Sequence, residues 1–307
     1  MTVDHPSHDT SATAVLRDPS LWLAIVLLVA LYIQPGQWLF AHWMANFDNS
    51  VGIMAPVFSA WVIWMRCTML CALPTGHDRR GLVLAGVGLL VHLLGLVSGE
   101  YLLSGLALPM LLHGGALWLV GRQRAAQLAF PFWFLLFAWP FFDALEIYLS
   151  FPMRLVSTVL AEGMLTPFME VTRNGTELIT PNINVAVIAS CSGLNYLSTL
   201  LMLGVLYAWL TEDRVPGRVV LLLFTPVVVL VANGLRIAAV AVLGYFWGRD
   251  VALGFFHDFS GLLVFALAVL LFFLISLGIH HWMPSPVGED TMARPRSEDD
   301  LPDSERP

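Results

Sequence analysis

Apolar runs of about twenty residues recur along the whole chain, and each is closed by a short polar or proline–glycine break. At about 1.5 Å rise per residue, a helical run of that length crosses a hydrocarbon core of about 30 Å. The first run is Leu21–Leu39, and Gln34-Pro35-Gly36 predicts an irregular outer end for it. The second, Val51–Leu73, stops at Pro74-Thr75-Gly76. The third is Gly81–Val97, turned by Ser98-Gly99-Glu100, and the fourth is Tyr101–Val120. A fifth starts at Gln127 and is rich in aromatic residues, with Pro131 and Pro140 inside it. Val185–Leu210, Arg218–Trp247 and Phe255–Ile279 follow, with Trp209, Trp247 and Trp282 near their ends as interfacial belts require. The expected fold is all-α: a polytopic helical membrane protein of about eight transmembrane helices.

Between the fifth and sixth runs the pattern changes. Asp143–Met169 places Leu155, Val159 and Leu160 near helical spacing, with Arg154 and Glu162 among them, and reads as an interfacial helix or a short extra span. In Glu170–Thr180, Asn174-Gly175 stands between extended segments and predicts a tight type I′ hairpin just before the sixth run. Asn174-Gly175-Thr176 also matches a glycosylation sequon, which carries no weight in a chain of bacterial character. The polar stretch 1–18 lacks the basic start of a signal peptide and reads as a disordered cytoplasmic tail. The Pro-, Ser- and acid-rich stretch 284–307 reads as a second one. A single membrane domain, 19–283, lies between them.

Composition agrees: 58% of residues are hydrophobic and 12% charged, against about a quarter charged in soluble domains. The net charge of −7 owes part of its acidic excess to the C-terminal tail. Lysine is absent, so arginine alone orients the chain. Arg79 and Arg80, Arg122 and Arg124, and Arg214 and Arg218 occupy alternate connections. Of the connections between them, Phe40–Ser50 and Ser98–Glu100 hold none and Gly248–Gly254 holds one, Arg249. The arginine-bearing loops are therefore expected in the cytoplasm with both termini, and the hairpin outside. Cys67 and Cys71 share a helix face as small core residues. No repeat, phosphate loop, dinucleotide fingerprint or zinc spacing occurs, so neither a cofactor nor a metal nor a nucleic-acid partner is expected.

Candidate chemistry lies in three strings: Ala189-Ser-Cys-Ser-Gly-Leu194, Asn233-Gly-Leu-Arg-Ile237 and His257-Asp-Phe-Ser-Gly261. The loop-derived topology puts Cys191 in the first two turns of the sixth run, entering from outside. Arg236 lies about 27 Å along the seventh run from Arg218, and His257 is in the first turn of the eighth. All three fall in the outer slab of the membrane. A thiolate is a working nucleophile, and a helix N-terminus and a nearby cation lower its pKa from about 8.5. Histidine can protonate a leaving amine, and arginine can hold an oxyanion. Asn233, on the same helix face as Arg236, is placed to orient it. Ser192, Gly193 and Asn195 are supporting candidates. The competing readings are a transporter with Arg236 and His257 lining a polar path, and a scaffold in which all three are packing residues. Arg66, His92 and His113 also fall within spans and read mainly as structural, with His113 a candidate for lining a path.

At these strings the sequence resembles the exosortase/archaeosortase family of membrane cysteine transpeptidases. Ala189–Leu194 is similar to its Cys-Ser-Gly block, Asn233–Ile237 to its arginine block and His257–Gly261 to its histidine block, where archaeal members often carry arginine. The likeness covers residues 125–280. It implies Cys191 as nucleophile, Arg236 as stabiliser of thiolate or oxyanion, and His257 as acid/base. It also implies the substrates: exported proteins bearing a C-terminal sorting signal of Pro-Glu-Pro type, a membrane helix and a basic cluster. These would be cleaved outside the bacterial inner membrane and passed to an acceptor, with a link to exopolysaccharide machinery.

Overall fold

The computed structural model describes residues 19–45, 47–187, 192–211, 215–248 and 255–282. The two expected tails lie outside them, as do Cys191 and the side chains of Asn195 and His257. The chain divides into two compact units, Met1–Ile147 and Tyr148–Pro307.

The first unit is helical. Helix α1 runs Pro19–Ala45 without interruption. The irregular end expected at Gln34-Pro35-Gly36 does not occur: Pro35 sits buried inside the helix, where membrane helices tolerate proline. The second apolar run is split at Arg66 (φ −97°, ψ 3°) into α2, Met54–Met65, and α3, Cys67–Ala72. Helix α4, Arg80–Ser98, packs along α5, Tyr101–Phe134, which ends in a 3-10 turn, Leu135–Ala138. At 38 residues the combined Tyr101–Ala138 segment would extend about 57 Å if straight, nearly twice a hydrocarbon core. It is broken at Gly121 (φ 84°, ψ 171°), between the expected fourth and fifth runs.

Arg124, read from the sequence as a loop arginine, is instead buried and has a capping role. Its Nε and Nη2 donate to the Leu73 carbonyl at 2.9 and 2.6 Å, beyond the last turn of α3. Arg66 donates to Gln127 Oε1 at 2.5 Å. His92 is fully buried, stacked on Tyr32, with Nε2 3.2 Å from the Leu31 carbonyl, as a structural histidine would be. Trp22, Leu23, Val26, Val29 and Ile33 of α1 point outward. Apolar side chains outside and polar groups turned inside form the arrangement expected of a lipid-facing bundle.

The unit boundary falls within α6, Phe141–Leu165. In the second unit a three-stranded antiparallel sheet follows: β1 Thr172–Asn174, β2 Glu177–Ile179 and β3 Asn184–Ala186, in that order. Asn174 pairs with Glu177, so the turn residues are Gly175 and Thr176. The expected Asn174-Gly175 turn is thus shifted by one residue, with Asn174 taken into the ladder. One face of the sheet, Leu178, Val185 and Val187, packs with Ile183 on Ala161 and Leu165 of α6. It also packs on Ile237, Ala238, Val240 and Ala241 of α8, Val215–Trp247. Helices α7, Leu194–Thr211, and α9, Phe255–Trp282, both lie against α8.

Among the described residues, four helical segments are long and apolar enough to cross a membrane: Pro19–Ala45, Arg80–Ser98, Tyr101–Ala138 and Val215–Trp247. Three apolar stretches are shorter, Val51–Met65, Tyr196–Thr211 and Phe265–Gly278. The helical membrane architecture stands, and eight full spans are not established.

Candidate functional site

The sixth apolar run does not become helical where hydrophobicity alone places its start. Asn184–Ala186 continues the ladder against β2 through Val187, whose N–H donates to Thr176 O at 3.0 Å. Gly193 then adopts φ +85°, a left-handed conformation that L side chains rarely hold. The helix opens only at Leu194, with Ser192 Oγ accepting the Leu194 N–H at 3.3 Å. The described helix thus opens three residues after Cys191, expected in its first two turns, and Cys191 itself lies outside the described residues. The residues flanking the undescribed segment 188–191 are buried: Val187 at 4%, Ser192 at 3% and Leu194 at 5% exposure.

Of the second string, Asn233, Gly234, Arg236 and Ile237 are buried on α8, and Leu235 is exposed. Asn233 is fully buried, and its Nδ2 donates to Ser157 Oγ of α6 at 3.1 Å. Gly193 lies directly on Asn233: a Cβ at Gly193 would stand 3.3 Å from Asn233 Cγ. The supporting residues Gly193 and Asn233, forty positions apart in sequence, thus meet. Substituting Gly193 with alanine is expected to cost about 1–2 kcal/mol from the positive φ alone, read as a lowered unfolding midpoint in detergent.

Gly234 makes the close approach of α8 to α6 possible. A Cβ there would lie 2.9 Å from Leu160 Cβ and 3.2 Å from the Ser157 carbonyl. Gly234→Val is expected to lose about 1–3 kcal/mol by overpacking and to lower the unfolding midpoint, whereas Gly278→Val, with open space around it, leaves it unchanged. Arg236 follows Asn233 by three residues and is 8% exposed, too enclosed for an arginine that merely reaches headgroups.

Helix register places the third string. A Cβ at Gly204 of α7 would lie 3.1 Å from the Phe272 ring of α9 and 3.6 Å from Leu222 of α8. Tyr207 packs edge-on against Phe272, and Ser276 donates to its hydroxyl at 3.1 Å. Helices α7 and α9 are therefore parallel, and α8 is antiparallel to both. Counting back at about 1.5 Å per residue puts Leu194 about 15 Å from Gly204, and His257 about 22 Å from Phe272. His257, in the first turn of α9, is carried to the same end of the group as Gly193 and Asn233. The structure brings Gly193 of the first string onto Asn233 of the second, and the third string opens α9 at that end of the three helices; the contacts of the Cys191, Asn195 and His257 side chains lie outside the described residues.

Ser157, which receives Asn233, was not singled out in the sequence. The available signal was polarity against periodicity. Met153, Ser157, Ala161 and Leu165 recur on one buried face of α6, while Tyr148, Phe151, Val156 and Val159 are exposed. A helix that hides its hydroxyls and shows its apolar side is built for lipid. Among the described residues no group of His, Cys, Asp or Glu could hold a metal ion.

No curated protein and no solved structure matches the chain. The profile of one family, described as transmembrane exosortase, matches residues 43–274, a stretch that takes in all three strings and most of both units. Spanning well over half of the 307 residues, that match places the chain in the transmembrane exosortase family.

Proposed function

We propose that this membrane protein is a cysteine protease/transpeptidase that cleaves C-terminal sorting signals of Pro-Glu-Pro type from exported proteins and transfers them to an acceptor. The observation that carries the reading is the seating of Gly193 on Asn233. It joins the chain flanking Cys191 to the helix that bears Arg236, at the end of the group where α9 begins, with His257 in its first turn.

The Cys191 thiolate attacks the carbonyl carbon of the scissile peptide bond, forming the C–S bond. Arg236 stabilises the thiolate or the oxyanion of the tetrahedral adduct. His257 gives a proton to the leaving amine as the C–N bond breaks, leaving a thioester. The acceptor's nucleophile then attacks the thioester carbonyl, passes its proton to His257 and releases the Cys191 thiolate. Water in that role gives hydrolysis. Loop arginines support an active site on the outer side of the bacterial inner membrane, with both termini in the cytoplasm. A scissile motif just ahead of a substrate's membrane helix would then meet the enzyme at that face.

The test is capture of the thioester. With a tagged sorting-signal protein and no acceptor, purified enzyme is expected to gain the mass of the substrate's N-terminal fragment on the peptide containing Cys191, and hydroxylamine should release it. A substrate that is shortened while no adduct forms on Cys191 removes the cysteine mechanism. A substrate that is never shortened turns attention to the transporter and scaffold readings.

A further inference from the structure

The first unit holds a hollow of its own, built from residues that the cysteine chemistry does not use. Trp38 and His42, in the last turns of α1, form one wall. Glu100 and Tyr101, just past the Gly99 cap of α4, form a second. Pro140 and Asp143, where α6 begins, form a third. The cavity measures about 390 Å³, the size of a small-molecule site. The end of α1 and the α4–α5 turn lead into connections without arginine, so loop charge supports the outer side of the membrane for it.

Its walls are aromatic and acidic. The Trp38 ring stacks on the buried Trp139, with centroids 6.2 Å apart and 20° between planes. It stacks on His42 at 5.7 Å and meets Tyr101 at 5.6 Å. Gln34 Nε2 donates to Tyr101 Oη at 2.6 Å and so holds the phenol in place. His42 Nε2 lies 3.3 Å from Asp143 Oδ2. Glu100 forms no ion pair among the described residues, and no arginine lines the cavity. Glu146, one turn beyond Asp143 on the same helix face, adds a third carboxylate. Burial pushes the Asp143 carboxyl up, His42 opposes that and Glu146 reinforces it, with a net rise. The imidazole therefore leaves the acidic charge of the hollow undercompensated.

Aromatic faces beside carboxylates, with no fixed cation among them, suit a positively charged ligand and repel a phosphate. The rings alone would serve a quaternary ammonium. The carboxylates are acceptors only, so they call in addition for N–H donors on the cation. Leu102 and Pro140 give the same cavity an apolar side for an alkyl stem.

The geometry points to a binding site for a primary alkylammonium group, with the ammonium at Asp143 and Glu100 and its stem against Trp38. The amine can come from a phosphatidylethanolamine headgroup or from a free amine. The site stands apart from the peptide-cleaving reading, because binding is measured without any processing. The test uses the full-length protein in octaethylene glycol dodecyl ether micelles, which carry neither charge nor amine. It is titrated with n-butylammonium, and binding is followed by saturation-transfer NMR of the alkyl protons. Saturable binding is expected, with n-butanol and tetramethylammonium each roughly tenfold weaker. Asp143→Asn should raise Kd roughly tenfold, the worth of one charge-assisted hydrogen bond. Trp38→Leu should raise it roughly fivefold through the lost cation–π contact. Glu100→Gln, at an exposed position, should also raise it, and it carries the test if Trp38→Leu does not fold.

Added phosphatidylethanolamine that displaces the probe names the lipid headgroup as the source of the amine. Failure to displace it names a free amine, and the site holds in both cases. Three results overturn the assignment. Binding that does not saturate, or that is equal in wild type and Asp143→Asn, removes the site. Displacement by phosphatidylglycerol makes the hollow a general lipid contact. Tighter binding of glucose than of n-butylammonium makes it a sugar site in which the rings stack and the carboxylates accept hydroxyl protons.

Discussion

Cys191→Ala is expected to reduce processing of a sorting-signal protein by roughly 10⁴-fold or more at equal enzyme abundance, because nothing else in the site replaces a covalent nucleophile. Cys191→Ser should fall nearly as far. A serine hydroxyl needs an adjacent base to become nucleophilic, whereas a thiol is already a few per cent ionised near neutrality and is further activated by a helix N-terminus and a cation. On the proposed mechanism the helix beginning at Leu194, three residues after Cys191 in the chain, is the candidate for the first influence and Arg236 for the second. The measurement is the size of a tagged substrate over time, with membrane abundance of each variant as control. The serine variant separates the competing classes. A polar conduction path tolerates the exchange of a thiol for a hydroxyl, and a scaffold loses abundance or assembly rather than turnover. Full processing by both variants at equal abundance would remove the cysteine mechanism and leave Arg236 and His257 to be explained as path or packing residues.

The helical membrane class was legible because it rests on local signals, and the three strings fall within the stretch that the family profile matches. Apolar runs report the solvent around a helix, and the seventh and eighth runs start within a few residues of the observed α8 and α9. What failed were positions decided by partners distant in sequence. Val185 belongs to an apolar run that reads as helix, yet it pairs with Leu178 in the sheet and packs on Ile237 and Ala238. The strand thereby took Val185 and Ala186 from the expected helix. Arg124 reads as a loop arginine, yet it caps carbonyls contributed by a helix about fifty residues earlier. Arg66 at the end of α2 breaks a run that hydropathy reads as continuous. Ser157 illustrates the limit most directly. A serine on an apolar helix has no distinguishing mark until Asn233 arrives from another helix to use it.

Arg236→Ala is expected to lower kcat by roughly 10²–10³-fold, the usual loss when one stabilising donor is taken from an enclosed site. Arg236 is 8% exposed on the helix face that also holds Asn233, so its environment is low in water and a charge there acts strongly. Arg236→Lys keeps the charge and loses the planar fork, and it tells the two possible duties apart. If the guanidinium holds the thiolate, a point charge suffices: the lysine variant retains much of the rate. Arg236→Gln then shifts the acid limb of the pH–rate profile upward, toward the ordinary thiol value of about 8.5. If the guanidinium holds the oxyanion through two aligned donors, the lysine variant falls almost as far as alanine and the limb stays where it was. Each variant must be compared at equal abundance, since opening a hole in the buried face of α8 also weakens its packing on α6 and the sheet. Undiminished turnover by both Arg236→Ala and Arg236→Lys would take the guanidinium out of the chemistry. The seating of Gly193 on Asn233 would then be a packing joint alone, and the acid/base work assigned to His257 would have to stabilise the reaction without a cation from α8.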